Sequence, residues 1–134
     1  MKKINILNND DKNLEVFQDD RGIIADVFYN HDINHVAYIS SEPNVIRGNH
    51  YHKETTQHIL ITKGSLEYWY KDFGSNEPSK MYLAKVGDLV STKPYEIHAL
   101  KITPEGNEFI VFSEGLRGGK DYESDTYRVD SIIG

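Results

Sequence analysis

Residues 48–64, GNHYHKETTQHILITKG, carry the pattern that decides the fold. His50 and His52 are two positions apart, and residues two apart in a β-strand project from the same face. Gln57 begins the next apolar run, where strand alternation places it on the face with the apolar side chains. Gly64 ends that run and predicts a turn. The spacing therefore predicts two histidines and one amide oxygen on the inner face of a sheet.

The remainder of the chain shows the same organisation in short segments. Apolar residues alternate or form short runs bounded by Gly, Pro, Asn and Asp, and no segment keeps a helical period. The predicted strands are 14–19, 23–29, 35–41, 44–52, 57–63, 65–71, 80–86, 88–92, 97–103 and 108–113. This pattern predicts an all-β antiparallel sandwich or barrel. We expect one domain over 1–134, with an N-terminal strand region (1–19) and a charged, glycine-rich tail (115–134).

The composition excludes several classes of function. A net charge of −6 argues against a nucleic-acid partner, which requires a basic face. The absence of cysteine excludes disulfides and thiolate metal sites. The first residues lack the apolar core of a signal peptide, and no apolar run approaches the roughly 18 residues of a membrane span. We therefore expect a soluble, cytoplasmic protein with no membrane partner.

A third histidine, His98, follows the turns at Gly87 and Pro94 and lies far from the first pair in sequence. Two close imidazoles, a third from a distant strand and a side-chain oxygen are a plausible divalent-metal site. Such ligands suit Zn, Mn, Fe or Ni, and the spacing does not choose among them. The predicted metal ligands are His50, His52, Gln57 and His98.

The other three histidines are expected to have ordinary polar roles. His31 and His35 have no partner at a comparable spacing. His58 is expected to face away from Gln57 because adjacent strand residues point to opposite faces.

Residues 48–64 resemble the first cupin motif, and residues 87–98 resemble the second. Four residues separate His52 from Gln57, and six separate Gln57 from Gly64, as in that first motif. The resemblance implies a jelly-roll (double-stranded β-helix) barrel in which both motifs bind a metal at the barrel mouth. Gln57 stands where the family has Glu, and we expect the lost negative charge to weaken metal affinity.

A narrower resemblance covers residues 19–52. Residues 19–28 are similar to the D-x-R-G-x-x-x-E-x-F segment of dTDP-4-dehydrorhamnose 3,5-epimerases, and 47–51 match their R-G-x-H-Y segment. The string 47–53 also resembles dTDP-sugar 3,4-ketoisomerases and the cupin domain of capsular polysaccharide biosynthesis enzymes. The resemblance implies a nucleotide-linked 4-keto-6-deoxy sugar as substrate and a role in surface polysaccharide biosynthesis. It also implies a homodimer formed by exchange of the N-terminal strands.

The resemblance also implies roles for individual residues. His50 occupies the position of the base, which removes a carbon-bound proton beside the carbonyl. Arg21, Arg47 and Asp26 are expected to bind the substrate, and for the two arginines the guanidinium fork suits paired phosphate oxygens. A turn residue on the surface is the open alternative for Arg21.

The acid of the epimerases has no counterpart in this chain, because Val111 stands at the matching position. Tyr38 is our candidate for a catalytic replacement, and other strand tyrosines (Tyr51, Tyr68 and Tyr70) are alternatives. Tyr122 and Tyr127 in the tail could supply an acid or anchor the tail by packing, and we favour packing.

Three functions remain open from the sequence. The first is an epimerase or ketoisomerase acting on a nucleotide sugar. The second is a metal-dependent cupin dioxygenase, and the third is a non-catalytic sugar-binding cupin. The sequence names neither the sugar, the nucleotide nor the metal.

Overall fold

The structure, a computed structural model, describes residues 1–115 and 124–134. Every strand pairing in these residues is antiparallel, which confirms the all-β antiparallel prediction. Among the same residues, no helix has the length and apolar character needed to cross a bilayer. The strands are β1 (Lys2–Asn5), β2 (Val16–Asp19), β3 (Gly22–Ala25), β4 (His35–Ser41), β5 (Ile46–Tyr51), β6 (Thr56–Asp72), β7 (Lys80–Lys85), β8 (Asp88–Thr92), β9 (Glu96–Glu114) and β10 (Tyr127–Arg128).

Two long strands, β6 and β9, form the backbone of the barrel. Their pairing runs from Thr56 opposite Glu114 to Asp72 opposite Glu96. Along its length β6 also pairs with β7 and β8, and β9 also pairs with β4 and β5. Each long strand therefore belongs to two parts of the folded sheet, as closure of a barrel from one sheet requires.

The sequence predicted two strands for each of these long strands, with turns at 63–65 and 104–107. Both turn predictions are wrong, because the chain bends there without leaving the sheet. The β6–β9 register shifts between Ile61 and Lys63 and again between Gly64 and Leu66. Such bulges turn a strand sharply while pairing resumes beyond them.

Gly64 allows this bend because two requirements coincide at its position. Its φ of +72° lies in the left-handed region, and a Cβ there would lie 2.1 Å from the carbonyl oxygen of Gly106. No side chain larger than hydrogen fits without moving the backbone of β9.

The strand order of the main sheet is β1-β8-β6-β9-β5-β10, with β4 added on β9 and β7 on β6, while β2 and β3 form a separate hairpin. Apolar side chains from the inner faces form one cluster. Several of them also form the wall of a cavity: Ile59, Tyr68, Leu100, Phe109 and Val111.

The described part of the tail packs on the barrel of its own chain. β10 pairs with β5, placing Tyr127 opposite Tyr51 and Arg128 opposite His50. The rings of Tyr127 and Tyr51 stack with centroids 5.4 Å apart. Packing by Tyr127 is thus confirmed, and Tyr122 lies outside the described residues.

We expect Gly64→Ala to lower the free energy of unfolding by about 3–5 kcal/mol. A left-handed backbone costs alanine about 1–2 kcal/mol, and the clash with Gly106 adds strain. Gly74→Ala is the matched control, since its φ is +80° but nothing lies within 4 Å of its Cβ. Urea unfolding measures both variants. Equal losses would contradict the close approach of β6 and β9.

Candidate functional site

Three histidine side chains meet inside the barrel. The ring centroids of His50 and His98 are 4.6 Å apart, and those of His50 and His52 are 5.0 Å apart. One ring nitrogen from each lies within 4.8 Å of the others, and all three side chains are buried. The structure therefore brings together the three histidines that the sequence singled out.

A bulge in β5 aims His50 at this cluster. The pairing of β5 with β9 shifts register between Gly48 and His50, and His50 resumes it opposite His98. Gly48 and Asn49 both have positive φ, and a Cβ on Gly48 would lie 2.8 Å from the carbonyl oxygen of His98. The glycine before the H-x-H pattern is therefore required by close backbone approach.

His52 is held by the chain's tail and faces Gln57. Its Nδ1–H donates to the backbone carbonyl of Asp125 at 2.7 Å. Neutral His52 then has its lone pair on Nε2, which lies 3.1 Å from Oε1 of Gln57. Two acceptors tolerate this distance when a proton or a cation lies between them, or when the Gln57 amide rotates to donate. A cation-binding site is one arrangement that this geometry favours.

Asp125 also fixes the loop that carries the first motif. Its carboxylate accepts hydrogen bonds from the backbone N–H groups of Lys53, Glu54 and Thr55 and from the Thr55 hydroxyl. Burial raises the pKa of Asp125, but these hydrogen bonds outweigh it, led by that from Thr55, and the pKa is lowered. The carboxylate therefore stays ionised and clamps the loop. Sequence reasoning missed Asp125, because nothing in a charged, glycine-rich tail marks one aspartate.

His98 keeps a lone pair on the nitrogen opposite its own hydrogen bond. Its Nδ1–H donates to the carbonyl of Glu96 at 3.2 Å, which leaves Nε2 unprotonated in the neutral ring. Burial, reinforced by nearby His52, lowers the pKa of His98 to about 4. His98 is therefore neutral near pH 7, the form in which imidazole accepts a proton or binds a metal.

His50 and His98 line a cavity of about 270 Å³. This is slightly below the roughly 300–1,000 Å³ of pockets for drug-sized ligands. The volume suits a single sugar-sized group better than a whole nucleotide sugar. Its apolar wall consists of Ile39, Ile46, Ile59, Leu100, Phe109 and Val111.

Two arginines also line this cavity. Arg47, which the sequence predicted, donates to the hydroxyl of Ser41 at 2.8 Å and to the carbonyl of Ser40 at 3.1 Å. Arg128, on β10 of the tail, was not predicted. Both residues are exposed, so an anionic ligand can reach them from the solvent side.

Two residues with hydroxyl groups, Tyr68 and Thr92, line the cavity, and their mutual hydrogen bond uses one hydroxyl proton and leaves the other for a ligand. The Tyr68 hydroxyl hydrogen-bonds to that of Thr92, and the Tyr68 ring is parallel to that of His98. Burial, with a contribution from Glu96, raises the pKa of Tyr68 far above its usual value, so this phenol stays protonated. Val111 lines the cavity as well, so the position matching the epimerase acid faces the cavity without a proton donor.

The structure does not bring Tyr38, Arg21 or Asp26 to this cavity. Tyr38 adjoins Ile39, which lines the cavity, and strand alternation turns Tyr38 outward, where its hydroxyl donates to Glu108. Arg21 is exposed in the β2–β3 turn and is paired with Asp19.

Asp26 has a structural contact of its own. Its carboxylate accepts the Glu15 backbone N–H at 3.0 Å and closes the base of the hairpin. In the described chain, none of the three contacts the histidine cluster, so their expected roles at the site stay predictions.

A second cluster forms on the opposite face of β6. His58 does point away from Gln57, but it is buried rather than solvent-facing. Its Nε2 lies 2.5 Å from Oε2 of Glu114, and Nε2 of His31 lies 2.9 Å from the same oxygen. His31 therefore has a carboxylate partner that is distant in sequence, because the loop before β4 brings it to the ends of β6 and β9.

Comparison with known proteins adds the family. A family model described as "Polysaccharide biosynthesis C-terminal domain" matches residues 17–114. The chain belongs to this family. None of the curated proteins compared with the sequence matches it.

Solved structures share the fold at low sequence identity. A sugar 3,4-ketoisomerase from Thermoanaerobacterium thermosaccharolyticum, in complex with TDP, is 20% identical with a TM-score of 0.71 over 87% of this chain and 85% of its own. The dTDP-4-dehydrorhamnose 3,5-epimerase of Sulfolobus tokodaii has 20% identity and a TM-score of 0.71, covering 89% and 76%. The capsular polysaccharide assembling protein CapF of Staphylococcus aureus has 20% identity and a TM-score of 0.64; 88% of this chain matches 33% of CapF. The predicted cupin fold is confirmed.

We expect the metal-free protein to lose about 2 kcal/mol of stability through His98 between pH 7.5 and pH 5. The folded pKa is about 4 and the unfolded value about 6.5, so the unfolded chain binds more protons in this range. Stability contributed by neutral His98 is therefore lost as the pH falls. Urea unfolding in chelator measures this loss.

His98→Asn removes this part of the pH dependence, and His35→Asn serves as the control. An unchanged loss in His98→Asn would contradict a buried neutral histidine.

Proposed function

We propose that the chain binds a nucleotide-linked keto-deoxy sugar and moves a proton beside its carbonyl, as an epimerase or ketoisomerase of surface polysaccharide biosynthesis. The observation that carries this proposal is that the buried imidazoles of His50 and His98 line a sugar-sized cavity whose lining also includes two arginines. Membership of a polysaccharide biosynthesis family and the fold shared with sugar ketoisomerases and epimerases support it.

His50 is the proposed base. A hydrogen on the carbon next to a carbonyl is weakly acidic, and its removal requires a base positioned at the reacting carbon. His50 lines the cavity among other imidazoles, in surroundings largely closed to water. The C–H bond breaks, its proton passes to the imidazole, and its electron pair forms an enolate.

The enolate oxygen requires a hydrogen-bond donor, and Tyr68 is the residue proposed for that role. Its hydroxyl keeps its proton and lies in the cavity beside Thr92. Donors aimed at developing charge in a dry site are usually the largest contribution to catalysis. Tyr68 thereby replaces Tyr38 as our candidate, since Tyr38 faces outward.

The carbon that is protonated, and the face on which it is protonated, decide which product forms. Reprotonation of the same carbon on its other face inverts it, which is epimerisation. If the neighbouring carbon carries a hydroxyl, the intermediate is an enediolate. Protonation of the former carbonyl carbon, with transfer of the hydroxyl proton to the former carbonyl oxygen, then moves the keto group. The residues that line the cavity support both products.

Arg47 and Arg128 are the proposed diphosphate ligands. A guanidinium group binds paired phosphate oxygens through two parallel hydrogen bonds. The two arginines come from β5 and β10, on either side of His50, and are exposed while the imidazoles are buried. The sugar would enter the cavity and leave the nucleotide outside.

The histidine cluster also fits a divalent metal, and we propose His50, His52, Gln57 and His98 as its ligands. His52 and His98 donate Nδ1–H to carbonyl groups, an outer-shell arrangement typical of metal-binding histidines that leaves Nε2 for the ion. Zn, Mn, Fe or Ni suits these ligands. When bound, the metal would polarise a substrate carbonyl.

His50 cannot serve as base and ligand at once, since both roles use the same lone pair. His50 therefore has two alternative roles, base or metal ligand. In one, His50 is the base without a metal. In the other, His50 holds the metal with His52, Gln57 and His98, and another group moves the proton.

A metal-dependent dioxygenase is a second candidate, favoured by the lone pair of His52 facing the amide oxygen of Gln57. That contact is what a cation between the two residues would explain. The dioxygenase requires oxygen consumption, whereas the isomerase does not.

The test is proton exchange on TDP-4-keto-6-deoxyglucose in D₂O, followed by NMR. We expect the protein to replace hydrogen beside the keto group with deuterium and to form an isomer. His50→Asn is expected to slow the exchange by about 10²- to 10⁴-fold, the usual contribution of a general base. His35→Asn, on β4 and outside both histidine clusters, is the control.

The same experiment with chelator and with added metal separates the two roles of His50. Elemental mass spectrometry should find about one metal ion per chain that depends on the barrel cluster. This ion should be absent from a His50→Ala, His52→Ala variant. Exchange that survives complete metal removal assigns the base to His50. Sugar binding with no exchange under any metal condition would overturn the enzyme and leave a sugar-binding cupin. Oxygen uptake without isomerisation would favour the dioxygenase.

A further inference from the structure

A second set of metal-ligating side chains lies outside the cavity, on the other face of β6. We propose that His31, His58 and Glu114 form a separate site for Zn²⁺ or a similar divalent transition metal. One ligand atom from each residue lies within 4.8 Å of the other two. None of the three lines the cavity of the barrel cluster, so the two sites are distinct.

The donor atoms already converge on a common point. Nε2 of His31 and Nε2 of His58 lie 2.9 Å and 2.5 Å from one oxygen, Oε2 of Glu114. Without an ion, the two imidazoles direct N–H groups at that carboxylate. One cation in place of these protons would convert all three atoms into ligands, and two imidazoles with one carboxylate are a known zinc donor set.

The cluster needs only a small expansion to hold the ion. Zinc bonds of about 2.0–2.1 Å in a tetrahedral arrangement place neighbouring donors about 3.3 Å apart. The present separations are shorter by several tenths of an ångström, as hydrogen bonds require. The His31 and Glu114 side chains are 39% and 33% exposed, so both can move away from the buried His58 by this amount.

An outer-shell contact orients the most buried ligand. Nδ1 of His58 lies 2.6 Å from the hydroxyl oxygen of Ser91. With Nε2 on a metal, Nδ1 carries the ring proton and donates to Ser91, which is the usual support for a metal-bound histidine. The Phe28 ring packs edge-on against His58 and contacts His31, which holds both rings in place.

A cavity of about 220 Å³ beside the cluster gives an ion access and room for water ligands. It is lined by His31, His58 and Ser91 together with the polar side chains of Asp11 and Asn13. Lys2 lines it too, and its charge opposes a cation. The carboxylates of Glu114 and Asp11 offset that charge.

The proposed ion would join three separate parts of the chain: the loop between β3 and β4, the start of β6 and the end of β9. An ion that binds only the folded state stabilises it by mass action. The site would therefore fasten the loop 26–34 to the outside of the barrel. This role is independent of the proposed isomerase chemistry.

The test is calorimetric titration of metal-free protein with Zn²⁺ alone. Wild-type protein should bind at two sites. A His50→Ala, His52→Ala variant lacks the barrel cluster and should retain one site, with a rise in Tm on zinc addition. Adding His31→Ala or Glu114→Gln to that variant should abolish binding and the Tm rise. Ser91→Ala should weaken binding by about 10- to 100-fold.

His35→Ala is the matched control, because this histidine lies on β4 outside both clusters and should leave the affinity unchanged. The proposal is overturned if His31→Ala and Glu114→Gln leave the zinc stoichiometry of wild-type protein unchanged, or if His35→Ala weakens binding equally. If the barrel variant fails to fold, the wild-type background still decides, since His31→Ala should reduce two sites to one. Failure of the barrel site alone would leave this second site intact.

Discussion

The antiparallel pairing of β6 with β9 is the constraint on which the molecule depends. It brings residues far apart in sequence into register, so that the strand ends carrying Gln57 and His98 belong to one sheet. Its bulges at Gly64 bend both strands without breaking the sheet, because glycine accepts the left-handed conformation and the close approach of Gly106. Each histidine cluster takes residues from this pair of strands: His98 on β9 for the barrel cluster, and His58 on β6 with Glu114 on β9 for the second.

The positions of the protons on His52 and His98 depend on backbone carbonyl groups rather than on charged side chains. The carbonyls of Asp125 and Glu96 each take the Nδ1–H of a histidine, which leaves the Nε2 lone pairs of His52 and His98 for a proton or a cation. Burial then disfavours a charged imidazole at His98. The Asp125 carboxylate, acting through the loop that follows His52, keeps this arrangement fixed.

The sequence was sufficient where local rules control the structure. Period-two patterning predicted β4 and β8 at their observed bounds, and the H-x-H spacing with Gln57 and His98 predicted the cluster. Residues such as Lys63 and Gly64 were misinterpreted, because turn residues signal a bend and do not distinguish a bulge from a chain reversal. Asp125 and Arg128 were missed, since their roles arise only when the tail pairs with β5. The same holds for Glu114, whose contacts depend on how the loop before β4 folds.

In the barrel, His52 and His98 each donate Nδ1–H to a backbone carbonyl and keep a lone pair on Nε2. Long-range ¹H–¹⁵N NMR of the histidine side chains in metal-free protein, at about pH 8, measures the protonation of each ring nitrogen. We expect both residues to carry their proton on Nδ1 and His98 to be neutral. A proton on Nε2 of either residue, or a charged His98, would contradict this expectation.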